Sequence, residues 1–190
     1  MDLILVRHAL PERSLTSADP VLAAPGRAQA ARLAGWLAGE RFDALYSSPM
    51  RRAIETAEPL RTRLGMPLKT FEGLAEYDRH SGAYIPIEEL KRLDRAAWDS
   101  LTQAGGADLV AFRTSVVDAL ESIIAEHRGG RAIVFCHGGV INVWACHVLG
   151  LDPRLFFEPA YTSVHRFACS SRGHRSLVSL NETAHLRDGA

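Results

Sequence analysis

The chain has 190 residues with 22 basic and 22 acidic side chains, so its formal net charge is zero and its isoelectric point lies near 7.1. A composition of 47% hydrophobic and 23% charged residues is ordinary for a globular protein and excludes an intrinsically disordered chain. The neutral balance argues against charge-driven binding to nucleic acid, which needs a basic surplus or a basic stripe. At about 150 residues per domain, we expect one domain that spans residues 1–190.

The cysteines and the apolar stretches indicate where the protein works. Cys136, Cys146 and Cys169 include no Cys-x-x-Cys pair, and an odd number of cysteines is typical of a reducing compartment. The apolar run near the N-terminus is too short for a signal peptide. Residues 132–151 lack acidic and basic side chains but contain histidines and a Gly-Gly pair, so we interpret them as strand, turn and helix. We therefore expect a cytoplasmic protein whose partner is neither a membrane nor a nucleic acid.

Short apolar runs alternate with amphipathic stretches along the chain, and this pattern predicts strands that alternate with helices. The predicted strands cover residues 3–6, 43–47, 67–71, 132–136, 163–169 and 176–180. The predicted helices cover residues 26–40, 49–64, 87–98, 109–128 and 140–149. This order indicates an α/β fold, a three-layer α/β/α sandwich around a mostly parallel sheet.

Two local features of this pattern bear on a site. Ser48 is expected to cap the second helix, with Pro49 at its first position. Residues 73–106 are irregular apart from one helix, and we expect them to form a small insertion over the edge of the sheet that carries the active site.

Polar side chains follow three of the predicted strands. Arg7-His8 ends the first strand, Ser47-Ser48 the second, and His137 with two glycines the fourth. In open parallel sheets, ligands bind outside the carboxyl ends of the strands. The helix after Ser48 carries Arg51 and Arg52 in its first turn, where backbone N–H groups favour an anion. Imidazoles and guanidiniums around an anionic centre make phosphate the natural ligand.

Four segments carry a resemblance to a known family. They are LVRHA at 5–9, SSPMRRAIETA at 47–57, LAEYD at 74–78 and FCHGGVI at 135–141. They resemble the signatures of the histidine phosphatase superfamily, which includes the cofactor-dependent phosphoglycerate mutases and many small phosphatases. Each motif alone is weak, but the four occur in the right order over most of the chain, and GRAQAARL at 26–33 resembles the usual first helix. We place the chain nearest the phosphoglycerate mutase-like phosphatase branch.

The resemblance implies a role for each matched residue. His8 would be the nucleophile that becomes phosphohistidine, with Arg7, Arg52 and His137 holding the phosphoryl oxygens, and Glu76 would be the general acid and base. A neutral imidazole is a competent nucleophile near pH 7, and a phosphoryl group needs positive donors around it. The double role of a carboxyl group as acid and base requires a raised pKa. No cofactor and no metal are expected.

Several assignments have competitors in the sequence. Arg51 lies beside Arg52, and the motif alone decides between them. Glu72 and Asp78 lie near Glu76 and could supply the carboxyl group. Ser47 and Ser48 are interpreted as turn and cap residues. Zinc ligation by the Cys136-His137 and Cys146-His147 pairs is disfavoured, because their offset matches no familiar ligand spacing.

Residues around the motifs are expected to select the substrate. Ser14 and Tyr84 are added as substrate-binding candidates, and Tyr84 belongs to the insertion that we expect to choose the leaving group. Departures from the family pattern stand out at Ala9, at Leu10-Pro11, which replace a polar pair that often follows, and near Tyr161. Ala9 replaces a usual glycine, which would be strained if that position needs a positive φ. Tyr161 lies near where some members have asparagine, before Ser163-Val164.

The expected function is hydrolysis of a small phosphorylated metabolite, because the chain is short for a mutase. Alternatives are a mutase-type phosphotransferase and a non-catalytic phosphate-binding module, which the Ala9 departure favours. Sugar phosphates, phosphoglycerates, nucleotide-related esters and phosphoproteins are all open as substrates. A homodimer is also open, because periodicity does not separate a core helix from an interface helix at 140–149.

Overall fold

The computed structural model describes residues 1–85, residue 92 and residues 107–187. The strands in this part of the chain are β1 (Asp2–Arg7), β2 (Ala44–Ser47), β3 (Leu68–Thr70), β4 (Arg131–Cys136), β5 (Val164–Cys169) and β6 (Arg175–Glu182). The α-helices are α1 (Ala24–Leu37), α2 (Arg51–Leu64), α3 (Ala107–Glu126) and α4 (Gly138–Leu149), with short 3₁₀ helices at Glu72–Leu74 and Ala184–Leu186. The predicted helix at 87–98 and most of the predicted insertion lie outside the described residues.

The strands form one sheet in the order β3-β2-β4-β1-β5-β6. β1, β2, β3 and β4 are parallel to one another, whereas β5 pairs antiparallel with β1 and β6 pairs antiparallel with β5. The parallel strands β1 and β4 are buried almost throughout, as expected for strands covered on both faces. The predicted α/β fold is confirmed, with a sheet that is mixed rather than wholly parallel.

Alternate residues of β1 enter two separate cores, because successive side chains of a strand point to opposite faces. Leu3 and Leu5 pack in one core with residues of α3 and α4. Ile4 and Val6 pack in the other core with residues of α1 and α2. The molecule therefore has three layers, with the helices of each outer layer held by one face of the sheet.

The start of α2 differs from the prediction. The helix begins at Arg51 rather than at Pro49, and its N-cap residue is Met50. Ser48 does not cap it, because the Ser48 hydroxyl lies 2.7 Å from Nε2 of His137 and accepts the N–H of Met50 at 3.2 Å. The cap comes instead from Asp19, whose two carboxylate oxygens lie 2.9 and 3.0 Å from the N–H of Arg51.

Residues 132–151 form β4, a tight turn and α4, as the sequence indicates. Residues 140–146 of α4 are buried within a single chain, which accounts for the apolar character of this helix. In the part of the chain that the structure describes, no helix is long and apolar enough to cross a membrane.

Candidate active site

The carboxyl ends of three adjacent strands bring the predicted site residues together. β1 and β4 pair with Arg7 opposite Cys136, so His8 and His137 follow side by side, with ring centroids 5.1 Å apart. β2 lies on the other side of β4, and the N–H of Ser48 donates to the carbonyl of Phe135. The sheet topology thus places two imidazoles and the start of α2 at one edge.

The tautomer of His8 follows from its backbone neighbour. Nδ1 lies 2.9 Å from the carbonyl oxygen of Ala9, and a carbonyl can only accept, so Nδ1 carries the proton. The neutral ring therefore has its lone pair on Nε2. Burial, followed by the positive charges of Arg52 and Arg7, holds the pKa of His8 well below its usual value of about 6.5. At neutral pH, His8 is an uncharged base with a nucleophilic Nε2.

His137 is fully buried beside this ring. Its Nε2 contacts the hydroxyl of Ser48, whereas its Nδ1 is buried without a hydrogen-bond partner among the described residues. Burial and the charge of Arg52 hold the pKa of His137 well below the usual value, so the ring is neutral. A neutral ring carries one N–H, and a polar nitrogen buried without a partner is costly, so Nδ1 is suited to meet a ligand atom.

Arg7 is surrounded by a loop that precedes β5. Its Nη1 donates to the carbonyl of Pro159, and the ring of Tyr161 lies over the guanidinium, with its centroid 4.0 Å from Cζ. The backbone N–H of Arg7 donates to the carbonyl of Ser163 at 3.1 Å, and its carbonyl accepts the N–H of Thr162 at 3.1 Å. Both the backbone and the side chain of Arg7 are therefore held.

Arg52 is buried, whereas Arg51 is exposed, so the geometry distinguishes two arginines that the sequence leaves as neighbours. Nη1 of Arg52 donates to the carbonyl of Ala18 at 2.9 Å and lies 3.6 Å from the carboxylate of Asp19. Nε of Arg52 is buried without a hydrogen-bond partner within the described ranges. Burial without full pairing makes Arg52 the better candidate of the two to bind an anion.

Two more groups complete the surroundings of Arg52. Nη2 lies 3.9 Å from the carboxylate of Asp78, and the ring of Tyr84 lies 4.7 Å from the guanidinium carbon. The backbones of Tyr84 and Ser14 exchange two hydrogen bonds, at 3.1 and 2.8 Å, while the Ser14 hydroxyl accepts the N–H of Thr16. The ring of Tyr84 thus packs on the Arg52 guanidinium, and the backbone of Ser14 holds the backbone of Tyr84 in place. Contact of either residue with substrate stays a prediction.

The carboxylate of Glu76 contacts the first turn of α4. One carboxylate oxygen accepts the N–H of Gly139 at 2.9 Å, and the other accepts the N–H of Tyr77 at 3.0 Å. Burial raises the pKa of Glu76, and the negative charge of Asp78 raises it further. A raised pKa brings a carboxyl group closer to the pH range in which a general acid and base must both hold and release a proton.

The two competing carboxylates differ in their surroundings. The side chain of Glu72 is 76% exposed and pairs with Arg79 at 3.1 Å, so it faces solvent. The pKa of Asp78 is raised by burial, while the positive charge of Arg52 lowers it. Asp78 therefore belongs to the site beside Glu76, and Glu72 does not.

Ala9 fits its position without strain. Its φ is not in the positive region, where Thr162 and Asn181 are the non-glycine residues of the described chain. Its N–H donates to the hydroxyl of Thr56 at 2.9 Å, and that hydroxyl donates to the carbonyl of Arg52 at 2.6 Å. The alanine therefore gives no reason to expect a displaced His8.

Three residues of this site were not assigned a role from the sequence. Asp19 caps α2 from 32 positions upstream, and Thr56 joins the loop after His8 to the same helix. Tyr161 was noted only as a departure from the family pattern, but it contacts Arg7 and lies 5.7 Å from the ring of His8. The Tyr161 departure was the signal that could have pointed to a role. Thr56 lies within the motif at 47–57, whereas Asp19 has no such signal, because its partners are set by tertiary packing.

No group of three or more His, Cys, Asp or Glu side chains in the described ranges is arranged to hold a metal ion. Cys136 and Cys146, which precede His137 and His147, are both buried with free thiols. The histidine pairs considered as zinc ligands thus do not form a cluster with other ligands in this part of the chain.

Comparison with known proteins identifies the family. Residues 3–183 match the family model of the histidine phosphatase superfamily, branch 1, and the chain belongs to that superfamily. Phosphoserine phosphatase 1 of Hydrogenobacter thermophilus is 27% identical over 201 residues, which cover 97% of this chain and 93% of that protein. Phosphoglycerate mutase-like protein 4 of Arabidopsis thaliana is 30% identical over 158 residues, which cover 74% of this chain and 68% of that protein. The resemblance of the four motifs is confirmed.

Solved structures show the same fold. YhfR of Bacillus stearothermophilus superposes with a TM-score of 0.82 at 24% identity, covering 98% of this chain and 99% of that chain. The mycobacterial glucosyl-3-phosphoglycerate phosphatase in complex with VO3 superposes with a TM-score of 0.78 at 21% identity, covering 96% and 99%. At these identities the likeness concerns the architecture alone.

Proposed function

We propose that the protein is a metal-independent phosphomonoesterase that works through a phosphohistidine on His8. The observation that carries this proposal is the state of the His8 ring, which is neutral, with its proton on Nδ1 and its lone pair on Nε2. The positive charges of Arg7 and Arg52 lower the pKa of this ring, and we infer that a phosphoryl group bound by these two arginines faces Nε2 of His8. A nucleophile, two cations and a carboxyl group with a raised pKa are the parts that phosphoryl transfer needs.

The first step transfers the phosphoryl group to the protein. Nε2 of His8 attacks phosphorus, the ester P–O bond breaks, and the leaving oxygen takes a proton from the carboxyl group of Glu76. Arg7 and Arg52 neutralise the phosphoryl oxygens, and Nδ1 of His137 is the further group with an unmet hydrogen-bonding capacity. The buried Nε of Arg52 has the same capacity.

The second step restores the protein. Glu76, now a carboxylate, takes a proton from water, and the water oxygen attacks phosphorus while the N–P bond to His8 breaks. Inorganic phosphate leaves and His8 returns to its neutral form. The raised pKa of Glu76 supports both halves, because the group must hold a proton in one step and release it in the other.

The substrate class we propose is a small phosphorylated metabolite, bound with the help of Ser14 and Tyr84. The relatives' names include phosphoserine phosphatase and glucosyl-3-phosphoglycerate phosphatase, so phosphoserine and phosphoglycerate esters are the first compounds to assay. The relaxed backbone of Ala9 weakens the alternative of a binding module without turnover. A mutase-type transfer stays a second candidate, since one relative is named phosphoglycerate mutase-like.

The test is hydrolysis of para-nitrophenyl phosphate with and without EDTA by the wild type, His8→Ala and His174→Ala. His174 is an exposed histidine far along the chain and serves as the matched control. We expect EDTA-resistant turnover in the wild type and in His174→Ala, and none in His8→Ala. Inorganic phosphate measured beside nitrophenol separates hydrolysis from transfer to a second hydroxyl. Turnover lost with EDTA, or retained in His8→Ala, would contradict the proposal.

A further inference from the structure

The loop of residues 159–163 contacts Arg7 at four points. The carbonyl of Pro159 accepts from the guanidinium, the ring of Tyr161 covers its face, and the backbone groups of Arg7 bond to Thr162 and Ser163. A guanidinium that is fixed along one edge and across one face has little freedom to rotate. The loop therefore determines how Arg7 is oriented, and not only where it lies.

The ring of Tyr161 in this loop lies beside both Arg7 and His8. The centroid of the Tyr161 ring lies 4.0 Å from Cζ of Arg7 and 5.7 Å from the centroid of the His8 ring. A cation over an aromatic face is attracted by the ring quadrupole, and the attraction is stronger when water is excluded. Arg7 is buried, so this contact is made away from bulk water.

The backbone beside Tyr161 adopts a conformation that needs support. Thr162 has φ 59°, in the left-handed region that β-branched residues rarely enter. Its hydroxyl donates to the carbonyl of Tyr161 at 2.7 Å and lies 3.0 Å from Nε2 of His185. An unfavourable conformation held by several bonds at a candidate active site indicates that the position of the loop matters for function.

We propose that Tyr161 is a positioning residue for the phosphoryl transfer, whose aromatic face holds the guanidinium of Arg7 in the plane from which it meets a phosphoryl group on His8. This inference rests on the proposed function. Orientation that is fixed before the substrate binds lowers the cost of reaching the transition state. The face of the ring is the working part, so phenylalanine should replace tyrosine and an aliphatic side chain should not.

The experiment compares the wild type with Tyr161→Phe, Tyr161→Leu and the control Phe156→Leu. Phe156 is a partly exposed aromatic residue of the same region that packs on Phe157. The readouts are kcat and KM for para-nitrophenyl phosphate, inhibition by orthovanadate and the melting temperature. For Tyr161→Leu we expect kcat/KM to fall about tenfold, with a parallel weakening of vanadate inhibition, while Tyr161→Phe and Phe156→Leu stay within about threefold.

A double-mutant cycle with Arg7→Lys separates positioning from a general structural role. Lysine lacks the planar guanidinium, so Tyr161→Leu should lose most of its effect in the Arg7→Lys background. Additive losses, unchanged kinetics in Tyr161→Leu, or equal losses in the Phe and Leu variants would overturn the inference. If the leucine variant folds poorly, Tyr161→Met, which keeps more side-chain volume but has no aromatic face, takes its place, and unchanged kinetics in that variant would overturn the inference. If the wild type releases no phosphate, the proposed function itself is wrong. If the wild type is active but the Tyr161 variants keep its kinetics, only the role of Tyr161 is wrong.

Discussion

Gly139 donates its N–H to Oε2 of Glu76 over 2.9 Å, and no side chain fits between the two residues. A Cβ on Gly139 would lie 2.2 Å from Oε1 of Glu76, well inside any allowed contact. The first turn of α4 thus binds the proposed general acid, and a methyl group at position 139 would push the flexible end of the Glu76 side chain aside. The neighbouring Gly138 has its nearest such contacts at 3.9 Å, an ordinary van der Waals distance.

Gly139→Ala should therefore displace the Glu76 carboxylate and lower kcat at least about 100-fold, the smallest contribution usual for a general acid. Gly138→Ala is the matched control, since it adds the same methyl group one residue earlier without a clash, and it should retain kcat. The measurement is kcat for para-nitrophenyl phosphate, with circular dichroism to confirm folding. Equal activity of the two variants would show that Glu76 is not held as described.

Asp19 should stabilise α2 through its capping oxygens. Asp19→Ala removes the acceptor for the N–H of Arg51 and should lower the free energy of unfolding by about 1 kcal/mol. Asp19→Asn keeps an acceptor oxygen and should lower the free energy of unfolding clearly less. Urea unfolding of the three proteins measures the difference. If asparagine proves as destabilising as alanine, the charge near Arg52 matters more than the cap.

Asp78 should set the alkaline limit of activity. Its negative charge raises the pKa of Glu76, so Asp78→Asn should let Glu76 lose its proton at lower pH. Since the first step needs protonated Glu76, the alkaline limb of kcat/KM should move to lower pH.

The control for that profile is Glu72→Gln, which neutralises an exposed carboxylate of the same segment already paired with Arg79. The alkaline limb of kcat/KM for Glu72→Gln should coincide with that of the wild type when both are measured in one buffer series. A limb that moves to higher pH in Asp78→Asn would mean that another group controls the alkaline side.

The layers of the fold and half of the site could be predicted because they depend on local signals. The alternation of apolar runs predicts the strands. Arg7 is the last residue of β1, and His8 and His137 directly follow β1 and β4, whose ends lie at the same edge. Glu76 came from the motif and not from spacing, since nothing in a linear pattern shows that it meets the amide of Gly139.

The residues that were missed depend on contacts between distant segments. The cap of α2 was assigned to Ser48, a good cap residue by type, but His137 occupies its hydroxyl and Asp19 reaches the helix from a separate loop. Tyr161 contacts Arg7 only because β5 pairs with β1, which a single sequence does not reveal. Tertiary hydrogen bonds therefore override local preference in these cases.

The hydroxyl of Thr56 connects the loop after His8 to the helix that carries Arg52. The Thr56 hydroxyl accepts the N–H of Ala9 and donates to the carbonyl of Arg52. The loop after His8 and the first turn of α2 are therefore bonded to the same oxygen atom. We expect a displacement of the start of α2 to act on the loop after His8 as well, because both backbones bond to this one hydroxyl. The position of the proposed anion-binding arginine is thereby tied, through one threonine side chain, to the position of the proposed nucleophile.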